Sequence, residues 1–254
     1  VADCEYNIRE IQSVIKEASD KSVQILCFPE LCITGYTCGD LFFQRALQMK
    51  AIESLFDIAH FMTDYSSIIV IVGLPLFHKN GLYNVAAVIN SEGIKGFVAK
   101  KNIPNSKEFY EKRWFLSGDK LNDFTVELAG QEIPISSASP IFTTPFGNFA
   151  IEICEDLWMP IPPSCTSSVL GASNDIVGKN NYRRNLILQQ SARCVAGYVY
   201  ASSGVGESST DVVFSGADFI AENGVLLKES ERFSFDNQLI ISDIDLNILH
   251  HDRM

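Results

Sequence analysis

The chain contains 254 residues, of which 46% are hydrophobic, and its formal net charge is −11. The length and apolar content suit one domain with a substantial core. The acidic balance argues against nucleic acid or an anionic membrane surface as a partner, because both require clustered cations. No apolar run is long enough to cross a bilayer, and the start of the chain does not resemble a signal peptide. We therefore expect a cytoplasmic protein that binds neither nucleic acid nor membranes.

The seven cysteines and four histidines do not form a recognisable structural site. The cysteine number is odd and the spacings do not match a disulfide framework, which favours free thiols in a reducing compartment. The sequence contains no Cys-x-x-Cys pair and no His-Glu-x-x-His motif, which are common spacings of zinc ligands. We therefore expect no metal site.

The first segment of the chain predicts a helix followed by a strand. Asp3 can cap a helix over residues 6–18, in which apolar side chains recur at helical spacing. Residues 22–28 read as a buried strand, and Pro29 ends it because proline has no backbone donor for the ladder. Glu30 therefore lies just past the end of a buried strand.

The middle of the chain predicts a second helical region and several strands. Asp40 is a candidate cap for an interrupted helix that reaches residue 61. The mixed acidic and basic stretch at 107–113 is typical of a solvated, salt-bridged face. Strands are predicted at residues 68–75, 83–90, 93–100, 124–128 and 141–142. Lys100 is the last residue of the strand predicted at 93–100, so its ammonium group lies at a strand end.

The C-terminal part centres on a strand that ends in a cysteine. Apolar residues alternate over 149–153, and the turn at 145–148 introduces this strand as the second arm of a hairpin. Cys154 follows the strand directly. Further on, we predict a helix at 182–196, strands at 197–201, 215–220 and 239–244, and a hairpin turn at 222–224. Helices mixed with hairpin-linked strands indicate an α/β layered fold with two sheets.

Three strand ends thus supply a carboxylate (Glu30), an ammonium group (Lys100) and a thiol (Cys154). These groups suffice for acyl transfer through a thioester, with a general base, a cation for the oxyanion and a nucleophile. Two alternatives stay open from the residues alone: Cys154 as a small buried hydrophobe, and Lys101 in place of Lys100.

Motifs around these three residues resemble those of the carbon-nitrogen hydrolase, or nitrilase, superfamily, and they occur in the family's order. They are Phe28-Pro29-Glu30-Leu31 with Thr34-Gly35-Tyr36, Lys100 with Ile103-Pro104 and Phe109-Tyr110-Glu111-Lys112-Arg113, and Glu152-Ile153-Cys154-Glu155-Asp156. The resemblance implies an α-β-β-α sandwich of two mostly antiparallel or mixed sheets, with residues 1–254 as one domain. It also implies a further buried strand between residues 168 and 172, but only Val169-Leu170-Gly171 stand there, so the chain departs from the family's pattern at this point.

The resemblance assigns roles to individual residues. It implies that Glu30 is the general base, that Lys100 stabilises the oxyanion and that Cys154 is the nucleophile. It also implies that Glu111 supports Lys100 and the substrate; the alternative is a surface pair with Arg113. By the same resemblance the substrate pocket is lined by Tyr36, Glu111, Glu155 and Trp158, although Trp158 could equally be a core residue.

A closer resemblance, over nearly the whole chain, is to the glutaminase domains of bacterial glutamine-dependent NAD synthetases. It rests on segments such as 35–42, 108–115 and 155–158. It implies that the glutamine side-chain amide is hydrolysed through a cysteine thioester without a cofactor. The ammonia would serve a synthetase domain, absent from this chain, that uses ATP and Mg to amidate deamido-NAD. By analogy with the family, we also expect a homo-oligomer.

Two other functions stay open. The chain could be a free-standing amidase of the same superfamily that acts on another small amide. It could also be a catalytically silent scaffold or interaction domain.

Overall fold

The structure, a computed structural model, describes residues 1–138, 140–166, 169–173 and 179–254. The chain divides into two compact units, Val1–Ser137 and Ala138–Met254. Each unit contains one sheet of six described strands. The prediction that residues 1–254 form one domain stays a prediction.

The first unit combines two long helices with a mixed sheet. Its helices are α1 (Cys4–Asp20) and α2 (Arg45–Phe61), with short 3-10 turns at Gly39–Phe43, Met62–Asp64, Glu111–Arg113 and Gly118–Lys120. Its strands are β1 (Ile25–Cys27), β2 (Ile69–His78), β3 (Gly81–Asn90), β4 (Gly93–Ala99), β5 (Thr125–Leu128) and β6 (Gln131–Ser136). The sheet order is β1-β2-β3-β4-β6-β5.

The pairing in this sheet brings the ends of β1 and β4 into a fixed register with β2 and β3. β1 runs parallel to β2, whereas β2, β3 and β4 form an antiparallel meander. Most residues of β2 and β3 are buried, as their long apolar runs require. Asp3 is the N-cap of α1, as predicted, and accepts a hydrogen bond from the Tyr6 N–H at 2.9 Å. The helix itself begins at Cys4, two residues before the predicted start.

The second unit has a parallel centre flanked by hairpins. Its strands are β7 (Phe142–Thr144), β8 (Gly147–Ile153), β9 (Val169–Ser173), β10 (Gly197–Ser202), β11 (Phe219–Glu222) and β12 (Val225–Glu229), in the order β12-β11-β10-β9-β8-β7. Its helices are α3 (Glu155–Trp158), α4 (Asn180–Cys194) and α5 (Leu246–Arg253), with a 3-10 turn at Pro163–Thr166. β9 is parallel to both β8 and β10.

A compact apolar cluster fills the second unit between its sheet and its helices. α3 and α4 contribute Leu157 and Ile187, and the strands contribute the large side chains of Tyr198, Tyr200 and Phe219. All five are at most 2% exposed. This packing fixes α3 against the end of β8, where Cys154 lies.

Several predicted elements are confirmed. The cysteine strand is the second arm of the β7–β8 hairpin, with Phe142 opposite Phe149. The turn at 222–224 joins β11 and β12 with positive φ at Asn223 and Gly224. The strand that the family resemblance implies near 169–171, where the sequence suggested a departure from the family, is present as β9. The predicted fold class, α/β with two mixed sheets, is therefore confirmed.

Other predictions are wrong. Residues 239–244 pair with no described strand; the side chain of Ile244 instead packs close to Gly197. The strand predicted at 215–220 begins only at Phe219, and β6 and α5 were not predicted at all. Asp40 does not cap α2, whose N-cap is Gln44. Among the residues described, no helix is long and apolar enough to span a membrane.

Candidate active site

Glu30 lies in a tight loop after β1 that is bound along β2. The Phe28 N–H donates to the Ile71 carbonyl at 2.9 Å, and the Ile33 N–H donates to the Gly73 carbonyl at 3.1 Å. Leu31 has a φ of +55°, so the chain reverses immediately after Glu30. The loop is therefore fixed by backbone bonds on both sides of the carboxylate.

Gly73 permits this close approach. A Cβ atom at position 73 would lie 2.2 Å from the backbone nitrogen of Leu31. Any side chain at this position would therefore force the loop to move. The sequence contains a signal for this contact, since a single glycine interrupts the apolar run of β2.

Lys100 follows β4 and joins two carboxylates. Its Nζ donates to Glu30 Oε1 at 2.7 Å and to both carboxylate oxygens of Glu111 at 2.8 Å. The side chains of Lys100, Glu30 and Glu111 are 0%, 1% and 2% exposed. Lys101, the rival candidate, is 44% exposed and pairs with Asp119 at 3.5 Å. The structure thus joins Lys100, not Lys101, to the predicted base.

Glu111 is buried, and the predicted alternative of a surface pair with Arg113 is wrong. Besides Lys100, its Oε1 accepts a hydrogen bond from the Tyr36 hydroxyl at 2.6 Å. Arg113 instead forms a bidentate pair with Asp40 at 2.6 and 2.7 Å. The predicted solvated face at 107–113 therefore holds one fully buried member of the site.

The electrostatics of this cluster suit a base that works near neutral pH. Burial raises the pKa of Glu30 to about 7, against the opposing effect of the Lys100 ammonium, and the neighbouring Glu111 carboxylate raises it further. A single ammonium group cannot compensate two buried carboxylates as well as water does. Glu30 can therefore exchange a proton in the physiological range.

Cys154 lies where β8 turns into α3, and its backbone is strained. Its φ of 51° and ψ of −105° resemble the first central position of a type II′ turn, which glycine normally occupies. The turn is held by Asp156, whose Oδ2 accepts the Ile153 N–H at 3.2 Å, and by the Leu157 N–H, which donates to the Cys154 carbonyl at 3.1 Å. Strain at a cysteine favours a functional role over simple packing.

Glu152 anchors the strand behind Cys154. The Tyr198 hydroxyl donates a short hydrogen bond to its Oε1, and the Ser164 N–H donates to its Oε2 at 3.1 Å. Burial raises the pKa of Glu152 to about 6. The sequence analysis did not identify this residue as a support, because its partners come from distant segments.

The remaining predicted pocket residues, Glu155 and Trp158, lie on α3. Glu155 is half-buried in the first turn of the helix. Trp158 stacks on Tyr182 with ring centroids 5.5 Å apart, lies 5.8 Å from Lys179 Nζ, and also packs against the core cluster of the second unit. Trp158 therefore packs partly against the core, and its contact with substrate stays a prediction.

The first unit thus brings together Glu30, Lys100, Glu111 and Tyr36, and the second unit carries Cys154, Glu155 and Trp158. These residues include a buried base (Glu30), a buried cation (Lys100) and a thiol on a strained turn (Cys154). The absence of a metal or cofactor from the reaction stays a prediction.

Comparison with known proteins identifies the family. The carbon-nitrogen hydrolase profile matches residues 1–253. The glutamine-dependent NAD(+) synthetase of Mycobacterium tuberculosis is 33% identical over 264 residues, which cover 100% of this chain and 39% of that protein. The crystal structure of a glutamine-dependent NAD(+) synthetase from Cytophaga hutchinsonii has 31% identity and a TM-score of 0.82, and the match covers 93% of this chain and 39% of that one.

An amidase of the nitrilase superfamily from Nesterenkonia shares the fold, with a TM-score of 0.72 at 17% identity, over 91% of this chain and 82% of its own. The chain spans about two fifths of the length of the synthetases that it matches, 39% for the Mycobacterium tuberculosis protein. Because the family profile extends through both units, the chain is a hydrolase and belongs to the carbon-nitrogen hydrolase family.

Proposed function

We propose that this chain hydrolyses the side-chain amide of glutamine through a thioester on Cys154 and supplies the ammonia to an NAD synthetase. The observation that carries the proposal is the buried Glu30–Lys100–Glu111 network. In a member of this family, it provides a general base next to a cation. The preference for glutamine is supported by the similarity of the entire chain to glutamine-dependent NAD(+) synthetases.

In the first half-reaction, Glu30 takes the proton of the Cys154 thiol, and the sulfur attacks the amide carbon of glutamine. The carbonyl electron pair moves onto oxygen, where Lys100 Nζ and the Glu155 backbone N–H stabilise the negative charge. One such donor typically lowers the barrier by about 2.7–4 kcal/mol. The carbon–nitrogen bond then breaks, and Glu30 returns its proton to the departing ammonia.

In the second half-reaction, Glu30 takes a proton from water, and the resulting hydroxide attacks the thioester carbon. The carbon–sulfur bond breaks, Glu30 returns its proton to the sulfur, and glutamate leaves. Glu111 and Tyr36 keep Lys100 in place through both steps. Glu155 and Trp158 are proposed to bind the amino-acid part of glutamine, by charge and by apolar contact with its methylene groups.

The ammonia would be used by an ATP- and Mg-dependent synthetase domain that amidates deamido-NAD. ATP and Mg belong to that domain, and the glutaminase reaction itself requires neither. We also propose a cytoplasmic location and a homo-oligomeric assembly, on the basis of the family resemblance alone.

The test is to incubate the purified chain with glutamine and to measure ammonia and glutamate. We expect equal amounts of both, with much slower release from asparagine or acetamide. The isosteric Glu30→Gln variant, which cannot accept the proton, should lose about 10²–10⁴-fold in rate. Faster hydrolysis of another small amide would favour the free-standing amidase. No hydrolysis of any amide by the folded chain would favour the silent scaffold.

A further inference from the structure

Asn84 contacts both Glu30 and Lys100 and has no role in the mechanism above. It lies on β3 and is 1% exposed. Its side-chain Nδ2 donates to Glu30 Oε1 at 2.6 Å, and its backbone carbonyl accepts the Lys100 N–H at 2.9 Å. One residue in the middle of a sheet therefore binds the carboxylate of Glu30 through its side chain and the main chain of Lys100 through its own main chain.

The orientation of the Asn84 amide is determined by its surroundings. Glu30 offers only acceptors when it is ionised, so the amide nitrogen must face it. Asn84 Oδ1 is buried and accepts no hydrogen bond from any residue that the structure describes. A buried acceptor without a partner is costly, and the contact of Nδ2 with Glu30 offsets part of that cost.

Two short hydrogen bonds hold one oxygen of Glu30. Oε1 accepts Asn84 Nδ2 at 2.6 Å and Lys100 Nζ at 2.7 Å. Donors to an ionised carboxylate form strong hydrogen bonds, which fix its orientation and favour its charged form.

We infer that Asn84 is a positioning residue for the general base: it fixes Glu30 Oε1 and keeps the carboxylate ionised. This inference depends on the proposed role of Glu30. The charged groups that face Glu30 within its unit are Lys100 and Glu111, and the Asn84 donor acts with Lys100 and against Glu111. In agreement, the Asn84 hydrogen bond lowers the pKa of Glu30, which burial raises.

The direction in which the pKa of Glu30 should change follows from the protonation state to which Asn84 donates. Asn84 donates to the charged carboxylate, so its removal favours the protonated state and raises the pKa of Glu30. A base must be ionised to act, and activity therefore disappears as the pH falls through its pKa. Loss of the donor should move the acidic limb of kcat/KM from about pH 7 to higher pH.

The experiment measures kcat/KM for glutamine against pH in the wild-type chain and in Asn84→Leu, which keeps the branched shape of the side chain but has no donor. Asn84→Ala serves if the first variant does not fold. Asn90→Leu, on the same strand but outside the network, is the matched control. In the Asn84 variants we expect a loss of at least about tenfold near neutral pH, a smaller loss in alkaline solution, and a displaced acidic limb. The control should keep the wild-type limb.

A uniform loss at every pH, with the limb unmoved, would overturn this inference, because it would show a purely structural role. That result leaves the proposed function intact as long as the wild-type chain releases ammonia from glutamine. Failure of the wild-type chain to hydrolyse any amide would instead contradict the proposed function, and this inference with it.

Discussion

The ends of β1 and β4 in the first unit and the end of β8 in the second hold their functional residues by different means. Glu30 and Lys100 are held by side-chain hydrogen bonds, to each other and to Asn84 and Glu111. Cys154 is held by its backbone, in a turn with φ of 51° that a cysteine rarely adopts.

The difference follows from the chemistry of the groups. A buried charge must be paired and hydrogen-bonded, because desolvation without compensation costs several kcal/mol. A thiol makes only weak hydrogen bonds, so side-chain contacts cannot orient it well. Its direction has to come from the main chain, and the strain of the turn, about 1–3 kcal/mol, is offset by the bonds around it. The two regions should therefore respond differently to substitution.

Removal of the sulfur should have the largest effect. We expect Cys154→Ala to lower the rate of ammonia release from glutamine by at least about a thousandfold, since no other group can form the thioester. The unfolding transition should change little. Cys165→Ala is the matched control, because Cys165 is exposed and lies outside the proposed mechanism. Comparable losses in both variants would contradict the assignment of the nucleophile.

Removal of the cation should damage the hydrogen-bonded region in stability as well as in rate. Lys100→Met leaves Glu30 and Glu111 buried together without a counter-charge, which typically costs about 3–5 kcal/mol. Urea unfolding measures this change. Lys101→Met, at the neighbouring and 44% exposed position, should leave both stability and rate nearly unchanged. Equal stability of the two variants would show that the buried network does not hold the region.

Gly73→Ala tests whether the loop of Glu30 depends on its fit against β2. The added Cβ would lie 2.2 Å from the Leu31 nitrogen, so the loop must move. A displacement of about 1 Å at a catalytic group can cost about a hundredfold in rate. Gly206→Ala is the control, because nothing lies within 4 Å of a Cβ at that position. A Gly73→Ala variant with wild-type kcat would mean that the base tolerates displacement.

The backbone strain at Cys154 predicts the smallest effect. Both Cys154→Gly and Cys154→Ala should be inactive, but the glycine variant should be the more stable by about 1–2 kcal/mol, because glycine adopts positive φ without a steric penalty. At a position with negative φ the alanine variant would be the more stable, since glycine loses more chain entropy on folding. Thermal or urea unfolding of the two variants decides the question. Greater stability of the alanine variant would contradict the strain.

The sequence allowed the three central residues to be predicted because each lies at a boundary that local chemistry marks. Pro29 ends the strand before Glu30, and alternating apolar residues lead directly to Cys154. The family resemblance then linked both to Lys100. Glu111 and Tyr36 were also predicted, although only the structure shows that Glu111 is buried and bound by both Lys100 and Tyr36.

The supporting residues could not be predicted in the same way. Asn84 and Glu152 look like ordinary strand residues, and their partners depend on sheet register and on segments far away in the sequence. At 239–244 the error is the opposite one, because the sequence predicted a strand that the structure does not contain. The apolar pattern of this segment suits a strand, but a strand also needs a partner, and pairing is a property of the tertiary fold.

The central claim is that Cys154 carries the acyl group of glutamine during turnover. The most direct test is to quench the wild-type chain with acid during the reaction with glutamine and to locate the adduct by mass spectrometry of its peptides. We predict a glutamyl thioester, with the mass of glutamine less ammonia, on the peptide that contains Cys154, and none in Cys154→Ala. An adduct on another cysteine, or continued ammonia release by Cys154→Ala, would contradict the account.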